Sequence, residues 1–401
     1  MRIDDPSLSW PLLTVDRAAI EHNIATVAQL YTGAGIGFAP HVKTHMSPGI
    51  YRRQAAAGTW GATVATPGQL REVVWWGKVG IRARVLLANE LTDPRDAAWL
   101  RDALDSGDVE EVWVYADSAE GVALLERTFA TAVYPERLGV LVEVGVLGGR
   151  TGVRSIAQVT ALARRVTQAG LRLVGVAGYE GPVASGTSAA ELEAVAGWCA
   201  DLRAAAARIA GMADGDVVLS AGGSAHADVV LRELTRPLAD PAGAPVPARV
   251  ILRSGAYVAH DHGHYRRADP WTRLGVAPLR PALTVWAQVL SVPEPGWIIC
   301  GAGRRDASSD IDLPVPLTVR AVDDAGRLGA PRDLPEGWGR VTALNDQHAY
   351  VQADPAVTAA VRPGDVAGLG ISHPCTTFQL YRTAYLTDGD EIIEQLPLAF
   401  H

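Results

Sequence analysis

Short apolar runs rich in β-branched residues alternate with segments of helical periodicity over the first 260 positions of the chain. Several runs, such as 85–88 and 140–142, are apolar throughout, which is typical of parallel strands covered on both faces. The pattern predicts eight strands near 36–42, 61–65, 84–88, 111–115, 138–144, 172–177, 216–220 and 249–253. Predicted helices between them include 67–76, 94–104, 118–129, 156–169 and 189–210.

Eight strand–helix alternations in this stretch favour a (β/α)8 barrel over an open sheet. The alternative is a doubly wound sheet that binds a dinucleotide. No Gly-x-Gly-x-x-Gly motif follows the first strand, which argues against that alternative. We therefore predict an α/β fold with an N-terminal (β/α)8 barrel over residues 16–260.

The pattern changes after residue 260, where helical periodicity fades and Pro and Gly separate short apolar runs. These runs lie near 282–292, 297–300, 315–319, 340–344, 365–371 and 391–394. Such punctuation predicts an all-β domain over residues 261–401. Residues 9–15 also have a strand pattern, and we expect this strand from the segment 1–15 to join the second domain.

Composition excludes several classes of protein. Hydrophobic residues make up 48% of the chain and charged residues 20%, which excludes disorder and a coiled coil. The net charge of −8 argues against a binder of nucleic acid or of an anionic membrane. Three cysteines cannot form a disulfide framework, no signal-peptide pattern begins the sequence, and no apolar run reaches the ~20 residues of a membrane span. We expect a cytoplasmic protein.

Lys43 is the first candidate catalytic residue. It lies in the stretch Pro40-His41-Val42-Lys43-Thr44-His45, directly after the first predicted strand. In a barrel the active site forms at the carboxyl ends of the strands. A lysine there can lose solvation, its pKa can fall, and its amine can then act as a Schiff-base nucleophile.

A glycine-rich loop follows the seventh predicted strand, in the stretch Ser220-Ala221-Gly222-Gly223-Ser224. Taken alone it is compatible with a plain tight turn. Before a helix, however, such a loop offers free N–H groups to an anion. An early lysine and a late phosphate loop together indicate pyridoxal phosphate as the cofactor.

Two histidine-containing motifs in the second domain have metal-binding character. In an extended segment, His373 and Cys375 would point to one face, and this pair suits Zn²⁺. A buried structural pair is the alternative. The alternating residues His260, His262 and His264 follow the last barrel strand, and we interpret them as a polar hinge or an active-site rim.

Nine motifs in order resemble the D-threonine aldolase and D-serine dehydratase-like family of alanine racemase-type pyridoxal enzymes. They are PHVKTH at 40–45, LANE at 87–90, GRTGV at 149–153, YEG at 179–181, GGS at 222–224, RSGAYV at 253–258, GAGRRD at 301–306, NDQHA at 345–349 and HPCTTF at 373–378. The last three resemble the amino acid deaminase or low-specificity D-threonine aldolase branch. Where such proteins often continue with Asp-Lys-Trp, this chain has Gln379-Leu380-Tyr381, so the contacts to substrate are in doubt.

The resemblance implies a barrel, a C-terminal β-domain and a homodimer with active sites near the subunit interface. It implies that Lys43 links covalently to pyridoxal phosphate, that Arg150 contacts the phenolic oxygen of the cofactor and that Tyr179 lies beside its ring. The residues implied for the phosphate are Gly222, Gly223, Ser224, Gly255 and Tyr257. His373 and Cys375 would bind a catalytic divalent metal, with Zn²⁺ preferred over Mn²⁺ or Mg²⁺.

The expected substrate is a β-hydroxy-D-amino acid, and the expected activity is that of a lyase. The cofactor weakens bonds at Cα, and the metal acts as a Lewis acid for the β-hydroxyl. Loss of Cα–H and hydroxide gives dehydration to a keto acid and ammonia, which we favour. Cleavage of Cα–Cβ gives the retro-aldol alternative, glycine and an aldehyde. The metal pair argues against a racemase, and the β-domain argues against a barrel-only cofactor carrier.

Overall fold

Strand β1 (Leu12–Asp16) and helix α1 (Arg17–Gly33) precede the barrel in the computed structural model, which describes residues 1–400. The side chain of Asp16 accepts a hydrogen bond from the N–H of Ala19 and so caps the helix. The strand passes directly into the helix because one aspartate ends the first and caps the second.

Eight parallel strands form the barrel. Their order around it is β2, β11, β8, β7, β6, β5, β4 and β3. The N–H of Thr63 donates to the carbonyl of Pro40 at 2.9 Å, and the N–H of Trp60 donates to Phe38 at 2.7 Å. These bonds join the two edge strands. The strands are β2 (Gly37–Phe38), β3 (Ala62–Val64), β4 (Val85–Glu90), β5 (Val112–Ala116), β6 (Leu138–Val144), β7 (Arg172–Gly178), β8 (Val217–Ala221) and β11 (Ala248–Leu252), with a hairpin of β9 (Leu238–Ala239) and β10 (Pro245–Val246) before the last.

Capped helices cover the outside of the barrel. Thr66, Asp93, Ser118, Ser155 and Ser188 each accept a hydrogen bond from an N–H in the first turn of the helix that follows. These short polar side chains explain where the helices begin. The helices of this part are α2 (Pro48–Ala56), α3 (Pro67–Trp76), α4 (Pro94–Ser106), α5 (Ala119–Phe129), α6 (Ile156–Gln168), α7 (Ala189–Ile209) and α8 (Ala227–Leu234).

The interior of the barrel is filled by side chains and is not a pore. One compact cluster contributes from almost every strand, as layered packing in such barrels requires. Its members are Ala39, Leu86, Trp113, Tyr115, Leu141, Val174, Ala177, Val218 and Ile251. Because the floor is closed, a ligand can enter only at the carboxyl ends of the strands.

The second domain is built mainly from antiparallel strands. Strand β1 lies inside its main sheet, antiparallel to β12 and parallel to β19. The strands are β12 (Leu283–Ser291), β13 (Trp297–Cys300), β14 (Val315–Val322), β15 (Leu328–Pro331), β16 (Gly339–Leu344), β17 (Ala349–Ala353), β18 (Val366–Gly370), β19 (Thr383–Asp388) and β20 (Glu391–Pro397). Four short helices occur after the barrel: α9 (His264–Ala268), α10 (Pro270–Arg273), α11 (Pro355–Thr358) and α12 (Pro374–Phe378).

The predicted fold class is confirmed, and each of the eight predicted barrel strands overlaps an observed one. The N-terminal strand joins the second domain as expected. Strands β15, β17 and β19 were not predicted. The boundary at residue 260 stays a prediction. Within residues 1–400, none of the helices combines the length and apolar character that crossing a bilayer demands.

Candidate active site

A cavity of about 690 Å³ lies at the carboxyl ends of the barrel strands, where segments of the second domain cover it. Nine of the ten residues predicted for the site contribute to its wall. They are Lys43, Arg150, Tyr179, Gly222, Gly223, Ser224, Gly255, His373 and Cys375. Residues far apart in sequence therefore meet around one space.

Lys43 reaches this cavity from a 3₁₀ turn (Val42–Thr44) that follows β2. The cavity leaves its side chain accessible, but protein surrounds the amine on most sides. This partial desolvation lowers the pKa of Lys43, and the nearby charges of Arg150 and Arg253 act in the same direction, while Cys375 opposes them. A lysine with a lowered pKa is suited to nucleophilic work near neutral pH.

Two further polar residues beside Lys43 had no predicted role. Burial lowers the pKa of His41 well below the ordinary range, and the charges of Lys43 and Arg253 add to this effect, so the ring is neutral. The buried guanidinium of Arg253 donates to the hydroxyl of Ser220 at 2.7 Å and to the carbonyl of Gly178 at 2.6 Å. Arg253 directly follows β11, a position that could have marked it as a site residue.

Glycines shape the wall opposite Lys43 because the backbone segments approach one another closely. Gly222 has φ +99°, a conformation that favours glycine. A Cβ on Gly223 would lie 2.8 Å from a ring carbon of Tyr179. A Cβ on Gly255 would lie 2.6 Å from both the carbonyl oxygen of His41 and the hydroxyl of Thr44. A side chain at Gly223 or Gly255 would collide with its neighbours in the cavity wall, and one at Gly222 would be strained by the positive φ.

The N–H groups of Gly222 and Gly223 already have an acceptor in the structure. Gly223 N–H donates to one carboxylate oxygen of Glu180 at 2.6 Å, and Gly222 N–H donates to the other at 3.2 Å. Glu180 is 1% exposed. The sequence argument assigned these N–H groups to a phosphate and did not foresee a carboxylate there. Ser224 accepts a hydrogen bond from the N–H of Ala256 at 3.1 Å, which joins the loop to the last strand end.

Tyr257 is the one predicted site residue that the structure does not bring to the cavity. Its side chain is 2% exposed, and its hydroxyl accepts a hydrogen bond from Gln54 at 2.9 Å within the core. Residues 256–258 form a 3₁₀ turn rather than a continuation of the strand. The turn directs the phenol into the protein and away from the cavity lining, and the predicted phosphate contact of Tyr257 stays a prediction.

Arg150 and Tyr179 lie together on the barrel side of the cavity. The guanidinium carbon of Arg150 is 5.0 Å from the centroid of the Tyr179 ring, within the range of a cation–π contact. Arg150 belongs to the loop between β6 and α6. Tyr179 follows β7 at the mouth of the barrel.

His373 and Cys375 meet in a way that the sequence did not predict. The expected extended segment is wrong, because Pro374 starts the short helix α12 and Cys375 lies in its first turn. Burial would lower the pKa of His373, but hydrogen bonding and charge from Cys375 and Asp310 outweigh it and raise the pKa to about 9. The hydroxyl of Thr44 is 3.3 Å from the sulfur of Cys375, which connects this pair to the turn that carries Lys43.

Asp310 orients the imidazole of His373. Its carboxylate lies 2.6 Å from Nδ1 of His373 and accepts a hydrogen bond from Thr376 at 2.9 Å. A carboxylate behind a histidine fixes which ring nitrogen faces the site. Ser308, on the same loop, donates to the carbonyl of His373 at 3.1 Å. Sequence reasoning missed both residues.

The motifs at 301–306 and 345–349 support this loop. The N–H of Arg304 donates to the carbonyl of Asn345 at 2.9 Å. A Cβ on Gly303 would lie 2.2 Å from that carbonyl oxygen, so only glycine permits the approach. The contacts between the motifs at 301–306 and 345–349 therefore fix the start of the segment that carries Asp310.

The alternating histidines at 260–264 divide between core and cavity. His264 lines the cavity, as the rim interpretation expects, whereas His260 and His262 are largely enclosed. Asp261 accepts hydrogen bonds from the N–H groups of Gly263 and Tyr265 and so shapes this connection. Within residues 1–400 the three rings do not form part of a three-ligand metal cluster.

The sequence model of the alanine racemase N-terminal domain matches residues 15–231, more than half of the chain. The chain belongs to this family. A second model, described as "Putative serine dehydratase domain", matches residues 282–387. That second stretch contains the metal-type pair and the loop that carries Asp310.

The curated proteins similar to this chain include a D-threonine aldolase from Arthrobacter sp. It is 27% identical over 384 residues, which cover 95% of this chain and 88% of the relative. A 3-hydroxy-D-aspartate aldolase from Paracoccus denitrificans is 25% identical over 313 residues, which cover 78% and 76% of the two chains. By family and relatives, the chain is an enzyme, a pyridoxal phosphate-dependent lyase.

Solved structures share the whole fold. The D-threonine aldolase from Filomicrobium marinum superimposes with a TM-score of 0.76 at 22% identity, covering 99% of this chain and 96% of the other. The D-threo-3-hydroxyaspartate dehydratase from Delftia sp. has a TM-score of 0.74 at 21% identity, with 98% of each chain covered. Alanine racemase from Bacillus anthracis has a TM-score of 0.62 at 13% identity, with 98% of each chain covered. At these identities the similarity concerns the fold alone.

Proposed function

We propose that this enzyme is a pyridoxal phosphate- and divalent metal-dependent lyase that dehydrates β-hydroxy-D-amino acids to keto acid and ammonia. One observation carries the proposal: the amine-bearing turn of the barrel and the His373–Cys375 pair face the same cavity, joined by the Thr44–Cys375 contact of 3.3 Å. A racemase needs the lysine but has no use for the metal-type pair.

The cavity fits pyridoxal phosphate by two observations. The glycine positions leave a cradle that a Cβ would fill, and the amine of Lys43 has a lowered pKa. In our proposal Lys43 holds the cofactor covalently, Arg150 contacts its phenolic oxygen, and Tyr179 lies beside its ring. The phosphate would lie against Ser224, Gly255 and the glycine loop, where it would replace Glu180 as the acceptor of the Gly222 and Gly223 N–H groups. When bound, this cofactor weakens the bonds at Cα of an amino acid.

The chemistry of the donor set fits a divalent metal. A neutral imidazole and a thiolate are ligands that suit Zn²⁺, and two protein ligands leave positions for substrate and water. In our proposal His373 and Cys375 hold the ion, and Asp310 orients the ring of His373. The ion would supply a Lewis acid for the β-hydroxyl. A solved variant of a D-threo-3-hydroxyaspartate dehydratase is described as being in a metal-free form, which supports a metal in related proteins.

Residues of the chain itself would transfer the proton and exclude water from the cavity. The amine of Lys43, with its lowered pKa, is the group placed to take the proton from Cα. Tyr265 and Ile311 form part of the wall on the second-domain side and limit the entry of bulk water. The neutral ring of His41 adds no competing positive charge beside the amine.

Retro-aldol cleavage to glycine and an aldehyde is the second candidate, and the D-threonine aldolase from Arthrobacter favours it. The two reactions differ in which bond at Cα breaks. The thiolate ligand leads us to place dehydration first.

Product analysis tests the proposal. Purified enzyme is given D-serine, D-threonine and their L-isomers, and ammonia plus keto acid is measured against glycine plus aldehyde. We expect keto acid from the D-isomers only, loss of turnover after chelation, and recovery with Zn²⁺. Glycine as the main product would establish the retro-aldol alternative. Full activity in chelated enzyme would refute the metal-dependent mechanism.

A further inference from the structure

Three acidic residues converge beside the cavity, away from the His373–Cys375 pair. Glu90 ends β4, Asp117 follows β5, and Glu143 lies near the end of β6. These strands are neighbours in the barrel, so their carboxyl ends bring the three side chains together. One oxygen from each carboxylate lies within 4.8 Å of the other two.

The cluster has no cationic partner within the described part of the chain. No Lys, Arg or His among residues 1–400 forms an ion pair with any of the three. Glu143 is only 4% exposed, and its Oε2 has no hydrogen-bond partner. Both side-chain oxygens of Glu90 are likewise buried, and the side chain that they face is the carboxyl of Glu143. Buried carboxylates without compensation are unfavourable, so something must balance their charge.

We propose that Glu90, Asp117 and Glu143 bind a hard divalent cation, Mg²⁺, Mn²⁺ or Ca²⁺, at a site separate from the His373–Cys375 pair. The donor set consists of oxygen atoms alone, which these ions prefer and which does not favour Zn²⁺. Such ions keep several waters, so three protein ligands are sufficient. Asn89 and Tyr115, neighbours of the cluster in sequence, line the main cavity, so the cluster lies next to that cavity.

The site would control the loop that carries Arg150. The N–H of Gly152 donates to Asp117 at 3.1 Å, and the N–H of Val153 donates to the backbone carbonyl of Glu143 at 2.8 Å. The acceptor in each of these contacts belongs to a cluster residue. A bound cation would therefore hold three strand ends and the Arg150 loop in one arrangement.

A proton shared between Glu90 and Glu143 is the alternative way to reduce the negative charge of the cluster. Burial, followed by the hydrogen bond and charge of Glu143, raises the pKa of Glu90 to about 9. A proton on Glu90 can be displaced by a divalent ion, because the ion neutralises more than one carboxylate. The two explanations differ in whether an ion is bound at neutral pH.

Counting bound Mn²⁺ by electron paramagnetic resonance tests the proposal. The holoenzyme is stripped with chelator and titrated with Mn²⁺, using a His373→Ala/Cys375→Ala background that lacks the first metal pair. We expect this background to retain a bound Mn²⁺ that Mg²⁺ displaces. Adding Glu143→Gln should abolish that binding, whereas adding Glu120→Gln, a change at an exposed acid on α5, should leave it intact.

Two results would overturn the cation site: no Mn²⁺ bound by the background variant, or equal binding with and without Glu143→Gln. If Glu143→Gln does not fold, Asp117→Asn replaces it, since its amide oxygen still accepts the Gly152 N–H. Hydrogen exchange in the loop 145–152 should slow on addition of Mg²⁺ to the background variant. Unchanged exchange would refute the link to Arg150. These readouts do not depend on the proposed lyase reaction.

Discussion

Replacing Asp310 tests how the metal pair is oriented. The carboxylate is 2.6 Å from Nδ1 of His373 and is held in place by Thr376. We expect Asp310→Asn and Asp310→Ala to weaken metal binding in a graded manner, although Asp310 has no assigned contact with the metal in our proposal. The other ring nitrogen of His373 would remain the ligand, but its direction and basicity would change.

The size of the loss in metal affinity depends on which hydrogen bonds of Asp310 each variant retains. Loss of such an outer-shell partner typically costs about 10–100-fold in metal affinity. Asparagine keeps one oxygen for Nδ1–H, and its NH2 group can donate to the Thr376 hydroxyl, but the charge is lost, so we expect about tenfold, or ~1.4 kcal/mol. Alanine removes both partners. Thr376 can then turn to the carbonyl of His373, 3.2 Å away, and the loss should approach ~100-fold.

The assay is a competition for Zn²⁺ between the stripped enzyme and a chromogenic chelator at fixed pH. Asp312→Asn is the matched control, because Asp312 lies on the same loop and binds Ser372 and Arg267 instead of the imidazole. We expect the control to bind Zn²⁺ as the unaltered enzyme does. Absorbance of the bound pyridoxal phosphate should be the same in all variants.

Unchanged Zn²⁺ affinity in Asp310→Ala would refute the orienting role. Equal losses in Asp310→Ala and Asp312→Asn would show that the loop as a whole matters and that the imidazole contact does not. Loss of bound cofactor together with metal would indicate general unfolding and would contradict the separation of the two sites.

Four further outcomes can be measured. Borohydride should fix the cofactor to Lys43, and Lys43→Ala should prevent this labelling, as mass spectrometry can establish. Because the pKa of Lys43 is lowered, its reaction with pyridoxal phosphate should accelerate with rising pH and level off below the ordinary lysine range. Gly255→Ala should cost about 1–3 kcal/mol of stability, measured by denaturant titration, since its Cβ would meet a backbone carbonyl at 2.6 Å. Gly223→Val should weaken cofactor binding in a fluorescence titration, since its side chain would meet the ring of Tyr179.

The barrel was predictable because its signals are local. Uniformly apolar strands and capped helices recur at regular intervals, and β6 has the bounds that the pattern predicts. The missed strands lack this signal. Strand β15 contains Gly329 and Pro331, so its composition resembles that of a loop, and β17 is a run of only five residues soon after the turn that contains Asn345. Their strand conformation depends on pairing with distant neighbours, which the sequence pattern does not reveal.

The residues that line the cavity were predictable where they follow the ends of strands, and were less predictable elsewhere. Lys43, Arg150 and Tyr179 follow strands, so topology alone brings them to the mouth of the barrel. Tyr257 lies outside the cavity lining, because the chain enters a 3₁₀ turn after β11 and the sequence does not mark that turn. Asp310 was missed because a loop of the second domain delivers it, and no periodicity marks its distance from His373.

Strand β1 has a consequence for how the protein is made. It is synthesised before the barrel, yet it lies between β12 and β19, which are synthesised after the barrel. Its buried side chains have no sheet to join until most of the chain has left the ribosome. The barrel can therefore fold during translation while the second domain stays incomplete. An attempt to produce that domain from residues 261–401 alone would leave the gap between β12 and β19 open and expose strand edges to aggregation.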